Sequence, residues 1–397
     1  MNKVSEPRSF EFEFNLRTRT YFGAGSATKL GEYLKELSFE RVGIVIDPAI
    51  YKTDYGKKVL KSVEGKRFDT VKIWVYDLDG EPDYDSLDQK KSIFMSKNAT
   101  PLVDCFVGIG GGSVMDFAKG LATLVVNPGK AIEYRGFPEN LSPSLPTIAV
   151  PTTAGTGSEV TYNAVFINWN EKKKLGINTK HNFPVLAILD PNLTLSCPKS
   201  VTVSSGVDAL VHALESYAAR QSNPLTKVFA RAAFKLIFNN LSKVLGDPSN
   251  IEIRANLQLG AYLAGISLMN SGSGPAGALS YPLGVHFRVP HGYAGGVFLP
   301  HIIKFNVKKG YDYSELYDLI ENADKPKRKE EKNHLFSQKL FELCDSLGIP
   351  SSLRSFGVNK SNIDTLLKET ENLGKAFTQN PIPFSVEDGK KLLMEMR

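Results

Sequence analysis

Asp208 and His212 lie four residues apart in a run, Asp208 to Arg220, that reads as helix. That spacing sets a carboxylate and an imidazole one turn apart on one face, where both can grip a divalent cation. A surface ion pair would share the spacing. The residues around the pair, Leu210, Val211, Ala213 and Leu214, are however apolar, and a carboxylate in so apolar a turn is costly without a partner. Pro290-His291-Gly292 offers a third ligand, from a loop bounded by proline and glycine.

A second chemical signal is Gly108-Ile-Gly-Gly-Gly-Ser-Val-Met-Asp116, which follows a strand-like run and opens a helix. Consecutive glycines let backbone N–H groups approach a phosphate, and a helix N-terminus adds partial positive charge. Ser113 is expected as N-cap and phosphate donor. The loop is neither G-x-G-x-x-G nor a Walker loop. Another polar loop, Pro151-Thr-Thr-Ala-Gly-Thr-Gly-Ser-Glu159, also follows a strand. Ligands of open α/β sheets bind beyond the carboxyl ends of strands, so two such loops suit one extended ligand such as a dinucleotide. Asp47 closes the first strand and reads equally well as an acceptor for adenosine ribose hydroxyls or as a turn initiator before Pro48.

These residues need elements to hold them. Arg41–Asp47, Val71–Tyr76, Val103–Ile109, Thr147–Val150 and Leu186–Leu189 read as strands. Several are apolar without alternation, as strands of a parallel sheet covered on both faces are. Gly25–Leu37 and Ser113–Val125 read as helices between them. Beyond residue 200 apolar residues recur at helical spacing in Asp208–Ala219, Leu225–Leu245, Ile253–Met269, Ser314–Asn322 and Leu335–Leu347. The expected fold is an N-terminal doubly wound α/β nucleotide-binding domain, 1–195, and an all-α C-terminal domain, 196–397, with a hinge over Leu193–Ser204.

The 397 residues exceed what one core serves. Apolar content of 42% and charged content of 23% are ordinary for a globular chain, and a net charge of +6 argues for no nucleic-acid partner. The mixed-sign run Lys325–Lys332 reads as a solvated loop. Cys105, Cys197 and Cys344 show no C-x-x-C spacing, a reduced, cytoplasmic pattern. The N-terminal Met-Asn-Lys-Val-Ser-Glu-Pro-Arg reads as no signal peptide, and no apolar run reaches membrane-spanning length.

The order Gly-Gly-Gly-Ser, Pro-Thr-Thr-Ala-Gly-Thr-Gly-Ser-Glu, Gly-Val-Asp-Ala-Leu-Val-His-Ala-Leu-Glu, Pro-His-Gly resembles the iron-containing (group III) alcohol dehydrogenases. The resemblance runs from Tyr21-Phe-Gly-Ala-Gly25 to Gln379-Asn-Pro381, with Leu299-Pro-His301 and Asn306 between. It implies an NAD(P)-dependent, metal-assisted oxidoreductase interconverting an alcohol and an aldehyde or ketone, with iron or zinc in an interdomain cleft. It places Gly111, Gly112 and Ser113 on the pyrophosphate, Thr152, Thr153 and Thr156 along the cofactor, and Lys174 and Leu193 near its ribose and ring. It makes Asp47 a selector of NAD over NADP and Asp208, His212 and His291 the metal ligands. A homodimer is expected.

One departure stands out. The family's third ligand lies fourteen residues before the Pro-His-Gly histidine, where this chain has Gly277, and a further active-site histidine is replaced by Tyr281. His291, Tyr281 and His286 are the catalytic candidates, with Arg288 recruited if the substrate is anionic or sugar-derived. Restoring an imidazole at 277 is expected to tighten metal binding. The rival readings are a dehydroquinate synthase-like cyclase and a metal-free, nucleotide-binding relative.

Overall fold

The computed structural model describes residues 11–78, 80–371 and 375–397. The N-terminal segment read for a leader lies outside them. Six parallel strands, β1 (Arg19–Phe22), β2 (Arg41–Ile46), β3 (Thr70–Val75), β4 (Cys105–Gly110), β5 (Thr147–Pro151) and β8 (Leu186–Leu189), form one sheet in the order β1-β8-β5-β4-β2-β3. β4, β5 and β8 are buried along their whole length. The sheet's side chains divide between two cores: Ile44, Ile46, Val107 and Ile109 pack on one face, and Val45 and Phe106 on the other, against Phe117 of the helix after β4. That double cover explains why these strands read as apolar runs without alternation.

The five expected strands are present, and Cys105, on β4, is buried. β1 was not foreseen, being a four-residue edge strand with no buried position. Nor was the antiparallel hairpin of β6 (Val165–Asn168) and β7 (Lys173–Gly176), whose outer half is charged.

From Lys199 onward every regular element among the described residues is helical. One core joins them, with Val207, Leu210, Val211 and Leu214 packed among Phe234, Phe298 and Phe336. The helix bearing Asp208 starts at Lys199, not at Asp208, so half of the expected hinge is helix and only the short stretch between Thr194 and Lys199 links the halves. The expected helix Leu225–Leu245 breaks into Pro224–Leu241 and Lys243–Gly246. Two further helices, Pro275–Phe287 and His291–Lys308, each contain an internal proline, Pro282 and Pro300. Pro300 has no N–H for the Gly296 carbonyl, which instead accepts a hydrogen bond from Cys344 Sγ at 3.6 Å.

Candidate active site

Asp208 and His212 ride the Lys199–Ala218 helix one turn apart, as their spacing requires. His291 is the first residue of the His291–Lys308 helix, after Pro290 at the N-cap, and not part of a loop. What lets that helix end close onto Asp208 is Gly292. A Cβ there would overlap the Ser204 carbonyl and stand 2.6 Å from Asp208 Cβ. His212 Nε2 and His291 Nε2 lie 3.6 and 3.8 Å from Asp208 Oδ1.

These separations are too long for hydrogen bonds. Two ligands each about 2.1 Å from a tetrahedral ion stand roughly 3.4 Å apart. The trio is thus open by a few tenths of an ångström, and no group of three His, Cys, Asp or Glu among the described residues is already drawn into a metal cage. Its chemistry nevertheless fits a cation. Asp208 is 5% exposed, and no described residue donates a hydrogen bond to its carboxylate, a costly state unless a cation answers it.

The His291 tautomer follows from its neighbour. Ser280 Oγ donates to the Gly277 carbonyl at 2.5 Å and lies 2.9 Å from His291 Nδ1. With its own proton spent, the hydroxyl accepts from Nδ1–H, which leaves the lone pair on Nε2, facing Asp208. Burial, and then the nearby Lys174 cation, pull the His291 pKa down to about 3 and keep the ring neutral. His212 Nδ1 is buried without a partner.

Gly277 sits against the Ser273 hydroxyl and the Glu215 carboxylate. Glu215, one further turn along the Asp208–His212 stripe, is buried and accepts from Ser273 Oγ at 2.8 Å and from the N–H groups of Gly274, Ala276 and Gly277 at 2.8, 2.6 and 3.2 Å. It anchors the start of the helix that carries Tyr281. A Cβ at 277 would overlap Ser273 Oγ and stand 3.0 Å from Glu215 Oε2. A histidine there would have to displace the Ser273 hydroxyl from Glu215 before its ring could turn toward Asp208. Glu215 was missed in the sequence, although its place seven residues after Asp208 continues the same helical face.

Tyr281 meets His291 edge to face, ring centroids 4.7 Å apart. Over its ring, 5.3 Å from the centroid, stands the Nζ of Lys174, contributed by β7 from the other half of the chain. Lys174 is held at 2.6 Å by Glu81; burial, the largest influence, would lower its pKa, but Glu81 together with Tyr281 and Asp208 raises it. His286 follows Tyr281 by five residues, which turns it about 140° round the helix from Tyr281. Arg288 is exposed and ends the helix in the left-handed region, φ 54°.

On the other wall, β2, β4 and β5 end side by side, and the Asp47 N–H donates to the Ile109 carbonyl at 2.8 Å. The helix after β4 spans Gly112–Leu124 with Gly111 as N-cap and no side-chain cap. Ser113 is therefore inside the helix rather than its cap. No protein acceptor is found for the N–H groups of Gly112 or Ser113 among the described residues, as a pyrophosphate cradle requires. A Cβ at Gly111 would meet only Thr153, at 3.4 Å, whereas one at Gly112 would press on Thr156 Cγ2 at 2.6 Å. The two loops thus touch through Gly112 and Thr156. Thr152 is buried, its N–H bonded to the Gly110 carbonyl at 3.0 Å. Asp47 caps the short helix Pro48–Lys52, with Oδ1 accepting from Ala49 N–H and Ile50 N–H at 2.7 and 3.4 Å. Both bonds use one oxygen, and Oδ2 accepts no hydrogen bond from any described residue. Leu193 is 2% exposed and belongs to the core beneath the sheet, so it offers a ligand little surface.

Behind these loops Lys119, 1% exposed, donates from Nζ to the Ser158, Thr161 and Asn163 carbonyls at 2.5, 2.9 and 3.0 Å. It fixes the far end of the Pro151–Glu159 loop.

Two family models cover the chain. One described as iron-containing alcohol dehydrogenase matches residues 17–191, and the C-terminal part of the Fe-containing alcohol dehydrogenase family matches residues 202–396. Alcohol dehydrogenase 4 of Schizosaccharomyces pombe is 30% identical over 355 residues, 89% of this chain and 82% of that protein. The NAD-dependent methanol dehydrogenase of Bacillus methanolicus is 30% identical over 357 residues, 89% and 92% of the two chains. Among solved structures a 1,3-propanediol oxidoreductase superposes with a TM-score of 0.89 at 26% identity, covering 98% of this chain and all (100%) of that one.

Proposed function

The chain belongs to the iron-containing alcohol dehydrogenase family and is an NAD-dependent, metal-assisted alcohol/aldehyde oxidoreductase; from that premise we propose which of its residues do the work. Asp208, His212 and His291 hold the divalent metal, iron or zinc. The observation that carries this is the buried Asp208 carboxylate, faced by two Nε2 atoms and answered by no donor. The metal and the nicotinamide, when bound, supply polarisation of the substrate oxygen and the hydride exchange.

The protein's share is binding, orientation and exclusion of water. Gly111, Gly112 and Ser113 present N–H groups to the pyrophosphate, and Thr152, Thr153 and Thr156 shape the loop beside it. Asp47 takes the adenosine ribose through Oδ2 and disfavours NADP, whose 2′-phosphate it would repel. Ser280 fixes the His291 tautomer. Lys174 and Tyr281 close the cleft from opposite halves.

The charge of the site supports an uncharged substrate rather than an anionic or sugar-acid one. The cation that faces the cleft, Lys174, is already paired with Glu81 at 2.6 Å. Arg288 lies exposed at a helix end. A carboxylate or phosphonate would enter beside Asp208 and Glu81, and Lys174 would meet it already engaged by Glu81.

We further propose a division at 195/196 between a cofactor-binding and a metal-binding domain, a homodimer and a cytoplasmic location. No helix among the described residues is long and apolar enough to cross a membrane. The matches of both halves to dehydrogenase models favour this reading over the cyclase. Reduction of NAD by short primary alcohols, followed through NADH absorbance, together with metal content by plasma emission, tests the assignment. His212→Ala should abolish both. If metal content and activity survive that change, the ligand assignment is wrong.

A further inference from the structure

The Tyr281 ring is held by both halves of the molecule at once. One side takes the Lys174 cation at 5.3 Å from the centroid, and an edge-to-face contact at 4.7 Å joins it to His291. Lys174 is itself tied down by Glu81 at 2.6 Å. A cation over the ring face and an edge-to-face aromatic neighbour each favour this one placement. The ring therefore has one favoured place, beside a metal-ligating imidazole. Its hydroxyl makes no hydrogen bond to any described residue.

We propose that Tyr281 is the specificity-determining residue of the site: a wall, pinned across the cleft by Lys174, that admits short unbranched uncharged alcohols and aldehydes and rejects longer or branched ones. The inference rests on the oxidoreductase reading above and names its substrate class. A substrate whose reacting oxygen points at the Asp208–His212–His291 trio must lay its carbon chain past the His291 ring, and Tyr281 occupies the space on that ring's flank. Because Lys174 and Glu81 belong to the α/β half and Tyr281 to the helical half, the wall stands only while the two halves are apposed. Size selection and closure of the cleft are then one device.

The test is a chain-length series. kcat/KM is measured for ethanol, 1-butanol, 1-hexanol and 2-methyl-1-propanol with wild type, Tyr281→Ala, Tyr281→Phe and Lys174→Met. A pocket contact discriminates roughly tenfold or more per methylene. Tyr281→Ala should thus raise the hexanol-to-ethanol and branched-to-ethanol ratios at least about tenfold. Tyr281→Phe keeps the ring and should leave the ratios within about twofold, and Lys174→Met, by unpinning it, should move them part of the way.

A binding readout independent of turnover comes from calorimetry on the NADH complex with acetamide and isobutyramide as aldehyde mimics. Tyr281→Ala should improve the relative affinity for the branched amide. Unchanged ratios in a folded Tyr281→Ala that binds NADH normally would overturn the proposal and leave the oxidoreductase reading standing. Should Tyr281→Ala fail to fold, Tyr281→Leu carries the same expectation at reduced size. Absence of NAD reduction with every alcohol in the wild-type protein would instead sink the underlying reading.

Discussion

Gly292 and Asp208 stand so close that a Cβ on the glycine would lie 2.6 Å from the aspartate Cβ, besides overlapping the Ser204 carbonyl. The neighbouring His291 owes its position to that approach, since the Pro-His-Gly helix can only come this near the Asp208 helix where one of them has no side chain. The glycine therefore supports the proposed metal site, although it has no side chain to ligate with.

Gly292→Ala should cost both stability and metal. Overpacking of a closed contact destabilises by about 1–3 kcal/mol, and the backbone carbonyl it strikes cannot rotate away. The helix end would back off and carry His291 Nε2 beyond its present 3.8 Å from Asp208 Oδ1. Metal titration and a denaturant melt of the same preparation read the two effects. A variant that melts lower but keeps full metal affinity would show that His291 does not need this approach.

Ser280→Ala removes the acceptor that fixes the His291 tautomer. Its hydroxyl proton already belongs to the Gly277 carbonyl, so nothing else in the contact can take Nδ1–H. Loss of such a partner weakens metal affinity about 10- to 100-fold. Threonine at 280 keeps the hydroxyl and should retain most of the affinity. Equal affinities for the alanine variant and wild type would mean that His291 ligates without this support.

Gly111 and Gly112 separate cofactor binding from packing. A valine at 111 meets only Thr153, at an ordinary 3.4 Å, and projects where the pyrophosphate is placed, so NAD affinity should collapse at nearly unchanged stability. At 112 a Cβ presses on Thr156, 2.6 Å away, so Gly112→Val should lower stability as well. Calorimetric NAD binding beside thermal melts distinguishes the pair. Normal NAD binding by a folded Gly111→Val would reduce the loop to a turn.

The proposed cofactor wall and the Asp208–His212 pair were legible in the sequence because both depend on local pattern. β4, the glycine loop and its helix are contiguous, and Asp208 and His212 are related by one helical turn. What stayed hidden depends on contacts between distant segments. The helix that begins at His291 was masked by Pro300 and by glycines at 292, 295 and 296, which in isolation read as loop. These glycines make room instead: Cβ atoms at 295 and 296 would stand 3.1 and 2.5 Å from Val211 and Val207 side chains. The β6–β7 hairpin is too short and too charged to announce itself, so the meeting of Lys174 with Tyr281 could not be read from either segment. Family resemblance flagged Gly277 as a lost ligand. Only the packing of Glu215 and Ser273 shows that the position has another occupant.

Glu159 predicts a pH effect. Burial pushes its carboxyl up from an ordinary 4.5 to about 7, in the same pocket where burial takes the Lys119 amine down to about 8. A carboxyl with a raised folded-state pKa holds its proton in the native protein over a range where the unfolded chain has lost it. Its contribution to stability is complete below pH about 4.5 and is lost as pH rises through about 7. Glu159→Gln, which stays neutral, should match wild type at the acid end and exceed it above pH about 7, by on the order of a few degrees in melting temperature. A constant difference across that window would show that Glu159 ionises normally.

Asp47 carries two duties that substitution can pull apart. Its Oδ1 caps the Pro48–Lys52 helix through Ala49 N–H and Ile50 N–H, and its Oδ2 is the oxygen placed on the adenosine ribose. Asp47→Asn keeps a capping oxygen but loses the charge that would repel a 2′-phosphate. It should therefore hold stability within about 0.5 kcal/mol while the preference for NAD over NADP narrows. Asp47→Gly should narrow the preference further and cost only a few tenths of a kcal/mol, since glycine is itself tolerated at an N-cap. Asp47→Ala loses the cap outright and should cost about 1 kcal/mol. The ordering that matters is in the ratio of kcat/KM for NAD to that for NADP: wild type highest, then asparagine, then glycine and alanine together. If all four proteins show one ratio while their melting temperatures differ as described, Asp47 is only a helix cap, and cofactor choice must be made elsewhere along the β2 edge.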